Sequence, residues 1–166
     1  MTLPQYDSFP TVTGEGVPLR QILDSDLQDL IEISFYDAIQ AETVEQAAEM
    51  QSKINKDYTN GNSIHWAIID NTTQKVVGTC GYYRGFDNGN GELGCVMLPQ
   101  YYGKGYMTAA MSLAIDFGLK NIGLQRVWAA TSQQNTKAIQ LLERLNFRRT
   151  VLLENDEIEF EFNPNK

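Results

Sequence analysis

A strand, a glycine-containing loop and a long helix follow one another in the middle of this chain. The strand, 92–98, ends before Pro99, and the loop that follows holds Lys104 between two glycines. From Met107 onward, apolar residues recur at intervals of three and four, which is the period of a helix. This order puts a helix N-terminus close to a strand end, where backbone N–H groups can bind an anion.

The remaining elements are predicted from alternation and helical periodicity. Predicted strands cover 17–23, 63–70, 75–84, 126–132, 147–153 and 157–162, and predicted helices begin at the capping motifs Ser25-x-x-Gln28 and Thr43-x-x-Gln46 and near Asn135. Hairpin-linked strands with two helical crossovers predict an α/β (α+β) three-layer architecture. Its sheet should be mixed, mostly antiparallel and of about seven strands, with helices on both faces.

Length and charge narrow the class of protein. The 166 residues are expected to form a single domain, 1–166, in which 1–16 is a loosely ordered arm. A net charge of −8 argues against a general nucleic-acid binder. The charge is uneven, because residues 1–60 carry −8 whereas 100–150 carry +5.

Several further classes are disfavoured by sequence pattern. The chain has no run of 18 apolar residues, so no membrane-spanning helix and no membrane partner are expected. Its first ten residues lack the basic-then-apolar pattern of a secretory signal, so a cytoplasmic location is expected. Two cysteines and one histidine argue against a zinc site.

The glycine loop departs from the two best-known phosphate-binding motifs. A P-loop needs glycine where Leu98 stands, and a dinucleotide-binding fingerprint needs its third glycine where Thr108 stands. Gly103 and Gly105 would let backbone amides approach a ligand, and Lys104 would add a positive charge. A plain strand-to-helix turn that needs glycine for its φ angles remains the alternative.

The segment from Pro99 to Met107, Pro-Gln-Tyr-Tyr-Gly-Lys-Gly-Tyr-Met, resembles the CoA-binding run of the GNAT superfamily of acetyl-CoA-dependent N-acetyltransferases. In this alignment, Tyr102 and Met107 replace the side chains usual in the motif. A second segment, 129–147, resembles the strand, the helix opened by Asn135 and the Leu-Gly-Phe ending of these enzymes, with Asn146 replacing the glycine. The subgroup it most resembles is the ribosomal-protein N-terminal acetyltransferases.

The resemblance implies a GNAT-like fold that uses acetyl-CoA as co-substrate and no metal. Backbone amides of the loop and helix start would cradle the pyrophosphate, the fourth strand of the family's sheet would hold the pantetheine and acetyl carbonyl, and a helix-opening asparagine would contact CoA. In this chain the residues at the pyrophosphate-binding positions are Gly103, Lys104, Gly105, Tyr106, Met107 and Thr108. Those at the pantetheine and acetyl positions are Cys95, Val96 and Met97, and the helix-opening asparagine is Asn135.

The catalytic groups are less clear from the sequence. Glu92 stands on the strand where some family members place a catalytic glutamate, so it is the candidate base, with a solvent-facing charge as the alternative. The tyrosine, serine and alternative base positions known in relatives are Leu142, Ala138 and Ala130 here. The nearby hydroxyl groups that could act as the acid belong to Ser132, Tyr82, Tyr83 and Tyr106, and direct release of thiolate to water is a further alternative.

Three other residues are interpreted as structural. His65, the single histidine, lies on an alternating strand. Cys80 and Cys95 should face each other across a hairpin as free thiols in a reducing cytoplasm.

The expected function is acetyl transfer to a primary amine by direct attack in a ternary complex. The acceptor would be a protein N-terminus or a small amine, and a homodimer is an open alternative to a monomer. The loops around Phe35–Glu42 and Tyr82–Asn90 are long enough to shape the acceptor pocket, and three glycines and two asparagines predict a loop at 85–91. A non-catalytic acyl-CoA sensor on the same fold is the second hypothesis, and a nucleotide-binding oxidoreductase is the third. The uneven charge suggests that CoA binds to the basic part of the molecule and a cationic amine to the acidic part.

Overall fold

A computed structural model describes residues 1–14 and 16–165 of the chain. The strands in these residues are β1 (Leu19–Gln21), β2 (Phe35–Tyr36), β3 (Ile39–Gln40), β4 (Ile64–Ile69), β5 (Val76–Tyr83), β6 (Asn90–Met97), β7 (Arg126–Ser132), β8 (Phe147–Leu152) and β9 (Glu157–Phe162). The α-helices are α1 (Leu27–Leu30), α2 (Val44–Thr59), α3 (Tyr106–Phe117) and α4 (Thr136–Arg144). Short 3₁₀ turns flank several of them, and a π-helical turn, Gly118–Ile122, follows α3.

Seven strands form one sheet in the order β1-β4-β5-β6-β7-β9-β8, and β2 and β3 form a separate two-stranded sheet. All neighbours in the large sheet are antiparallel except β6 and β7, which are parallel. The predicted mixed, mostly antiparallel sheet of about seven strands is therefore confirmed. The one parallel pair arises because α3 carries the chain from the end of β6 back to the start of β7.

Apolar side chains cover both faces of the sheet. Trp66, Tyr82 and Phe160 are fully buried in the cluster that includes residues of α3 and α4. A second cluster joins α1 and α2 to the sheet, with Leu30 and Ala67 among its buried members. Helices therefore lie on both faces, as the three-layer prediction required.

Only one of the two predicted capping motifs forms as expected. The Thr43 side chain accepts a hydrogen bond from the Gln46 N–H at 3.1 Å, which fixes the start of α2. The prediction at Ser25 is wrong, because the Asp26 carboxylate instead accepts the Leu23 N–H at 2.7 Å. The first helix is consequently only four residues long, between two 3₁₀ turns.

The arm at residues 1–14 makes specific contacts, whereas a loosely ordered arm was expected. The Tyr6 N–H donates to the Tyr58 hydroxyl, and the Trp66 indole N–H donates to the Pro10 carbonyl at 3.0 Å. Val12 forms a bridge with Leu19. These contacts arise because aromatic residues of the arm cover the open end of the main core. Glu15, which belongs to the predicted arm, lies outside the described residues.

Two predicted loops contain more structure than their composition suggested. Phe35–Tyr36 and Ile39–Gln40 pair as a hairpin whose two-residue turn has positive φ at both Asp37 and Ala38. The predicted loop at 85–91 holds a 3₁₀ turn, Asp87–Gly89, and β6 already begins at Asn90. None of the helices in residues 1–14 and 16–165 combines the length and the apolar character that a membrane span requires.

Candidate active site

The parallel strands β6 and β7 pair over only three residues and then separate. Asn90, Gly91 and Glu92 face Arg126, Val127 and Trp128, and no later pair of the two strands is in register. The rest of β6 stays bonded to β5 on its other side as far as Met97. One backbone edge of 93–97 therefore faces an opening in the sheet, and the predicted pantetheine-binding residues Cys95, Val96 and Met97 lie along it.

The glycine loop enters α3 through left-handed backbone. Gly103 and Gly105 have φ of +76° and +83°, conformations that glycine adopts without steric cost. A Cβ built on either glycine would meet no atom within 4 Å, so the space beside the loop is open. Gly105 is the N-cap of α3 and offers no side-chain acceptor, which leaves the N–H groups of the first helical turn available to an anion.

The remaining predicted cofactor residues lie at this end of the sheet or at the start of α4. Lys104 is exposed, with its ammonium 5.8 Å from the centre of the Tyr101 ring. Tyr106, Met107 and Thr108 form the first turn of α3. The Asn135 side-chain oxygen accepts the Ala138 N–H at 3.1 Å, so Asn135 opens α4 as predicted and its oxygen acts as the helix cap.

A cavity of about 840 Å³ lies beside the opening, on the face of the sheet that carries α1 and α2. Its walls combine this sheet face with α2 and the β2–β3 hairpin. The lining includes Gly94, Cys95 and Val96 of β6, next to the separated strands. The cavity therefore adjoins the place where the resemblance puts the acetyl group.

Carboxylates dominate the charge of the cavity. Asp37, Asp57, Asp87 and Glu92 line it, and Arg84 is the one cationic side chain among its lining residues in the described part of the chain. Arg84 binds both carboxylate oxygens of Glu92, at 2.7 and 2.8 Å. Burial raises the pKa of Glu92, and the nearby Arg84 guanidinium partly opposes that rise. A carboxylate with a raised pKa is a better proton acceptor, which suits the predicted base.

His65 and Tyr83 form a half-buried polar pair in the cavity wall. The Tyr83 hydroxyl lies 2.9 Å from the His65 Nε2. Burial lowers the pKa of His65 to about 4 and raises the pKa of Tyr83. Both side chains are therefore uncharged at neutral pH. His65 Nδ1 and the Ser63 hydroxyl, also in the cavity wall, are buried without a hydrogen-bond partner among the described residues.

The four hydroxyl groups that the sequence analysis named as candidate acids lie in different surroundings. Tyr82 donates to the Ala114 carbonyl at 2.8 Å on the opposite, α3-bearing face. The Ser132 hydroxyl donates to the Gln134 side-chain oxygen, and Tyr106 interacts with Asp70. Of the four, Tyr83 alone lines the cavity.

The two cysteines occupy directly opposite positions on β5 and β6, as predicted, and both are free thiols. A hydrogen bond with Cys80, together with burial, raises the pKa of Cys95 well above its usual value. Cys95 therefore stays protonated and is a poor nucleophile near neutral pH.

Sequence reasoning indicated the segments that shape the cavity but missed individual residues. The loops around Phe35–Glu42 and Tyr82–Asn90 were expected to contribute, and parts of both do. Asp57 was missed, although Met50, Ile54 and Asp57 share one helical face at spacings of four and three. No comparable signal marked Ser63, because a single serine at a strand start is common in any sheet.

The depressed pKa of His65 predicts a pH effect on stability. Below pH 6.5 the unfolded chain binds a proton at His65, whereas the folded protein does not until about pH 4. The free energy of unfolding should therefore fall as the pH drops through this window, by up to about 1.4 kcal/mol per pH unit from this group. His65→Gln should reduce that slope in urea titrations, and equal slopes in both proteins would contradict the assignment.

Comparisons with known proteins show which family shares this fold and sequence. The acetyltransferase (GNAT) domain family matches residues 17–148. The uncharacterized N-acetyltransferase p20 of Bacillus licheniformis is 34% identical over 111 residues, which cover 66% of this chain and 62% of that protein. The chain thus matches less than two thirds of this relative's length.

Solved structures share the fold at low sequence identity. A ribosomal-protein-S5-alanine acetyltransferase from Vibrio fischeri superposes with a TM-score of 0.74 at 20% identity, over 94% of this chain and 98% of that one. Mutant forms of the spermidine/spermine N-acetyltransferase from Vibrio cholerae give 0.75 at 17% identity, over 90% and 94%. Together with the family match over most of the sequence, the separated strands and the glycine loop at the start of α3 identify this chain as a member of the GNAT acetyltransferase family.

Proposed function

We propose that this protein transfers the acetyl group of acetyl-CoA to a primary amine by direct attack in a ternary complex. The observation that carries the proposal is the separation of β6 from β7 beside a carboxylate-lined cavity. An open strand edge can hydrogen-bond an extended acyl chain, and the cavity can admit an amine to its end. Because Cys95 stays protonated, a covalent acetyl-cysteine intermediate is disfavoured and direct transfer is supported.

Acetyl-CoA would be held by backbone groups more than by side chains. The N–H groups of residues 103–108 would bind the pyrophosphate at the start of α3, with Lys104 adding a positive charge. The open edge of Cys95–Met97 would bind the pantetheine, and Asn135 would approach it from α4. Backbone recognition explains how Tyr102 and Met107 can depart from the family motif without removing the site.

Glu92 is the proposed base. It lies at the last paired position of β6, where the strands begin to separate, and its carboxylate lines the cavity. An α-amino group has a pKa of about 7.7–8.0, so a fraction of the acceptor is already neutral near pH 7.5. Glu92 then has to accept one proton as the amide forms.

A cationic amine suits the acceptor side of the cavity. Three carboxylates there, Asp37, Asp57 and Asp87, form no ion pair within the described residues. Asp57 is held by the Tyr36 hydroxyl at 2.9 Å. Protein N-termini and small amines remain the two acceptor classes.

The adjacent free thiols of Cys80 and Cys95 support the proposed cytoplasmic location, since reducing conditions keep such thiols unpaired.

Gly105→Glu should abolish acetyl-CoA binding and acetyl transfer. The new carboxylate would stand in the open space beside the loop and repel the phosphates. Isothermal titration calorimetry with acetyl-CoA measures the effect. Gly105→Ala is the matched control, because it has the same positive-φ cost, about 1–2 kcal/mol, without the charge. Unaltered affinity in Gly105→Glu would reject the loop assignment.

Arg84→Gln should move the acid limb of the pH profile of kcat/KM to higher pH. Arg84 lowers the pKa of Glu92, so its removal raises that pKa, and the base is active only when deprotonated. Arg149→Gln, at an exposed position on β8, is the control. A profile that does not move in Arg84→Gln would remove Glu92 from the role of base.

Asp57→Asn should weaken binding of an acceptor that carries a second ammonium group. Loss of about 1 kcal/mol of attraction would raise the KM of a diamine about fivefold, while that of a monoamine of equal length changes little. Asparagine still offers an oxygen to Tyr36, and Glu49→Gln on the exposed side of α2 is the charge control. If the wild-type enzyme prefers neutral or acidic acceptors even at low salt, the cationic assignment fails.

A further inference from the structure

A row of two glycines crosses the sheet in the cavity wall. His65 on β4 faces Gly81 on β5, and Gly81 faces Gly94 on β6. Directly opposed residues point to the same side of a sheet, so this row has a side chain only at its β4 end. The side chain of Tyr83, two residues after Gly81 on β5, occupies the space beside these glycines.

The Tyr83 ring lies across the bare backbone of Gly94. A Cβ built on Gly94 would collide with the Tyr83 Cε2 atom, and a Cβ on Gly81 would come within 2.8 Å of the His65 Cα. Both glycines are therefore needed for the ring to bridge the strands and for its hydroxyl to reach His65 Nε2 at 2.9 Å. The two rings meet edge to face, with centroids 5.1 Å apart.

This placement fixes the hydroxyl beside the part of β6 that has left β7. Tyr83, Gly94, Cys95 and Val96 all line the same cavity. Because burial raises the pKa of Tyr83, the hydroxyl keeps its proton throughout the working pH range. With its proton on Nε2, the neutral His65 can donate to the Tyr83 oxygen. That tautomer leaves only a lone pair at the unpartnered Nδ1, which costs less than a buried unpaired N–H.

We propose that Tyr83 is the general acid that protonates the sulfur of CoA, and that His65 is the positioning residue that holds the Tyr83 oxygen. The inference rests on the proposed acetyl transfer and assigns the one role that the family positions Leu142 and Ala138 leave vacant.

The proposed step uses the Tyr83 hydroxyl, the Glu92 carboxylate and water from the solvent. Starting from the neutral amine, nitrogen forms a bond to the acetyl carbon, and the carbon–sulfur bond breaks with its electron pair passing to sulfur. The Tyr83 hydroxyl gives its proton to that sulfur, and Glu92 takes the proton that the nitrogen loses. Water in the cavity returns this proton from Glu92 to the Tyr83 oxygen, so that the amide and the free thiol leave and both residues are restored.

Tyr83→Phe tests the assignment. It keeps the ring over Gly94 and removes only the hydroxyl. We expect kcat to fall about 100-fold, while the calorimetric affinity for acetyl-CoA and both KM values change less than about threefold. Tyr82→Phe is the matched control, because the Tyr82 hydroxyl lies on the opposite face, where it donates a hydrogen bond to the Ala114 carbonyl of α3 and faces away from the cavity. Its kcat per folded molecule should equal that of the wild type.

Two variants of His65 test its positioning role and leave Tyr83 unchanged. His65→Gln retains an N–H that can donate to the Tyr83 oxygen, whereas His65→Leu does not. We expect kcat to be higher in His65→Gln than in His65→Leu when the two variants have equal melting temperatures. Equal losses in the two variants would remove His65 from the positioning role.

The outcomes separate the inference from the proposed function. An active wild type with unchanged kcat in Tyr83→Phe overturns the role of Tyr83 and leaves acetyl transfer standing. A loss of the same size in Tyr82→Phe also overturns it, because the effect would then come from general destabilisation. A wild type that binds acetyl-CoA but releases no CoA with any amine overturns both.

Discussion

The short parallel pairing between β6 and β7 is the constraint on which the rest of the site depends. Three pairs, from Asn90 with Arg126 to Glu92 with Trp128, hold the two halves of the sheet together. Beyond them β7 turns to β9 and β6 stays with β5, so the sheet opens without losing the hydrogen bonds of either half. The opening exposes a backbone edge of β6 between the glycine loop on one side and the cavity on the other.

Glycines in the wall of that cavity leave room for a polar aromatic side chain. Gly81 and Gly94 leave a gap on one face of the sheet, which the Tyr83 ring fills from the neighbouring row. On the other face, Cys80 and Cys95 sit opposite each other within the main core. The same pair of strands thus has a packed apolar face towards α3 and a polar, accessible face towards α2.

Much of the fold could be predicted from the sequence because its signals are local. The alternation in 157–162, the periodicity after Met107 and the cap at Thr43 each depend on neighbouring residues, and each prediction matched the structure. The cap at Ser25 failed because Asp26 offers a charged acceptor, which also pairs with Arg20. The hairpin at Phe35–Gln40 was missed because two-residue strands carry too few alternations to be recognised.

By itself, the sequence determined the family, the order of the elements and the loop that suits a phosphate group, since glycine spacing and periodicity record backbone geometry directly. Only the tertiary structure decided which hydroxyl lines the cavity and which carboxylates surround it. Tyr82 and Tyr83 are neighbours in sequence, and nothing local distinguishes their chemistry. They point to opposite faces of one strand, so one packs in the core against α3 and the other reaches across Gly94 to His65.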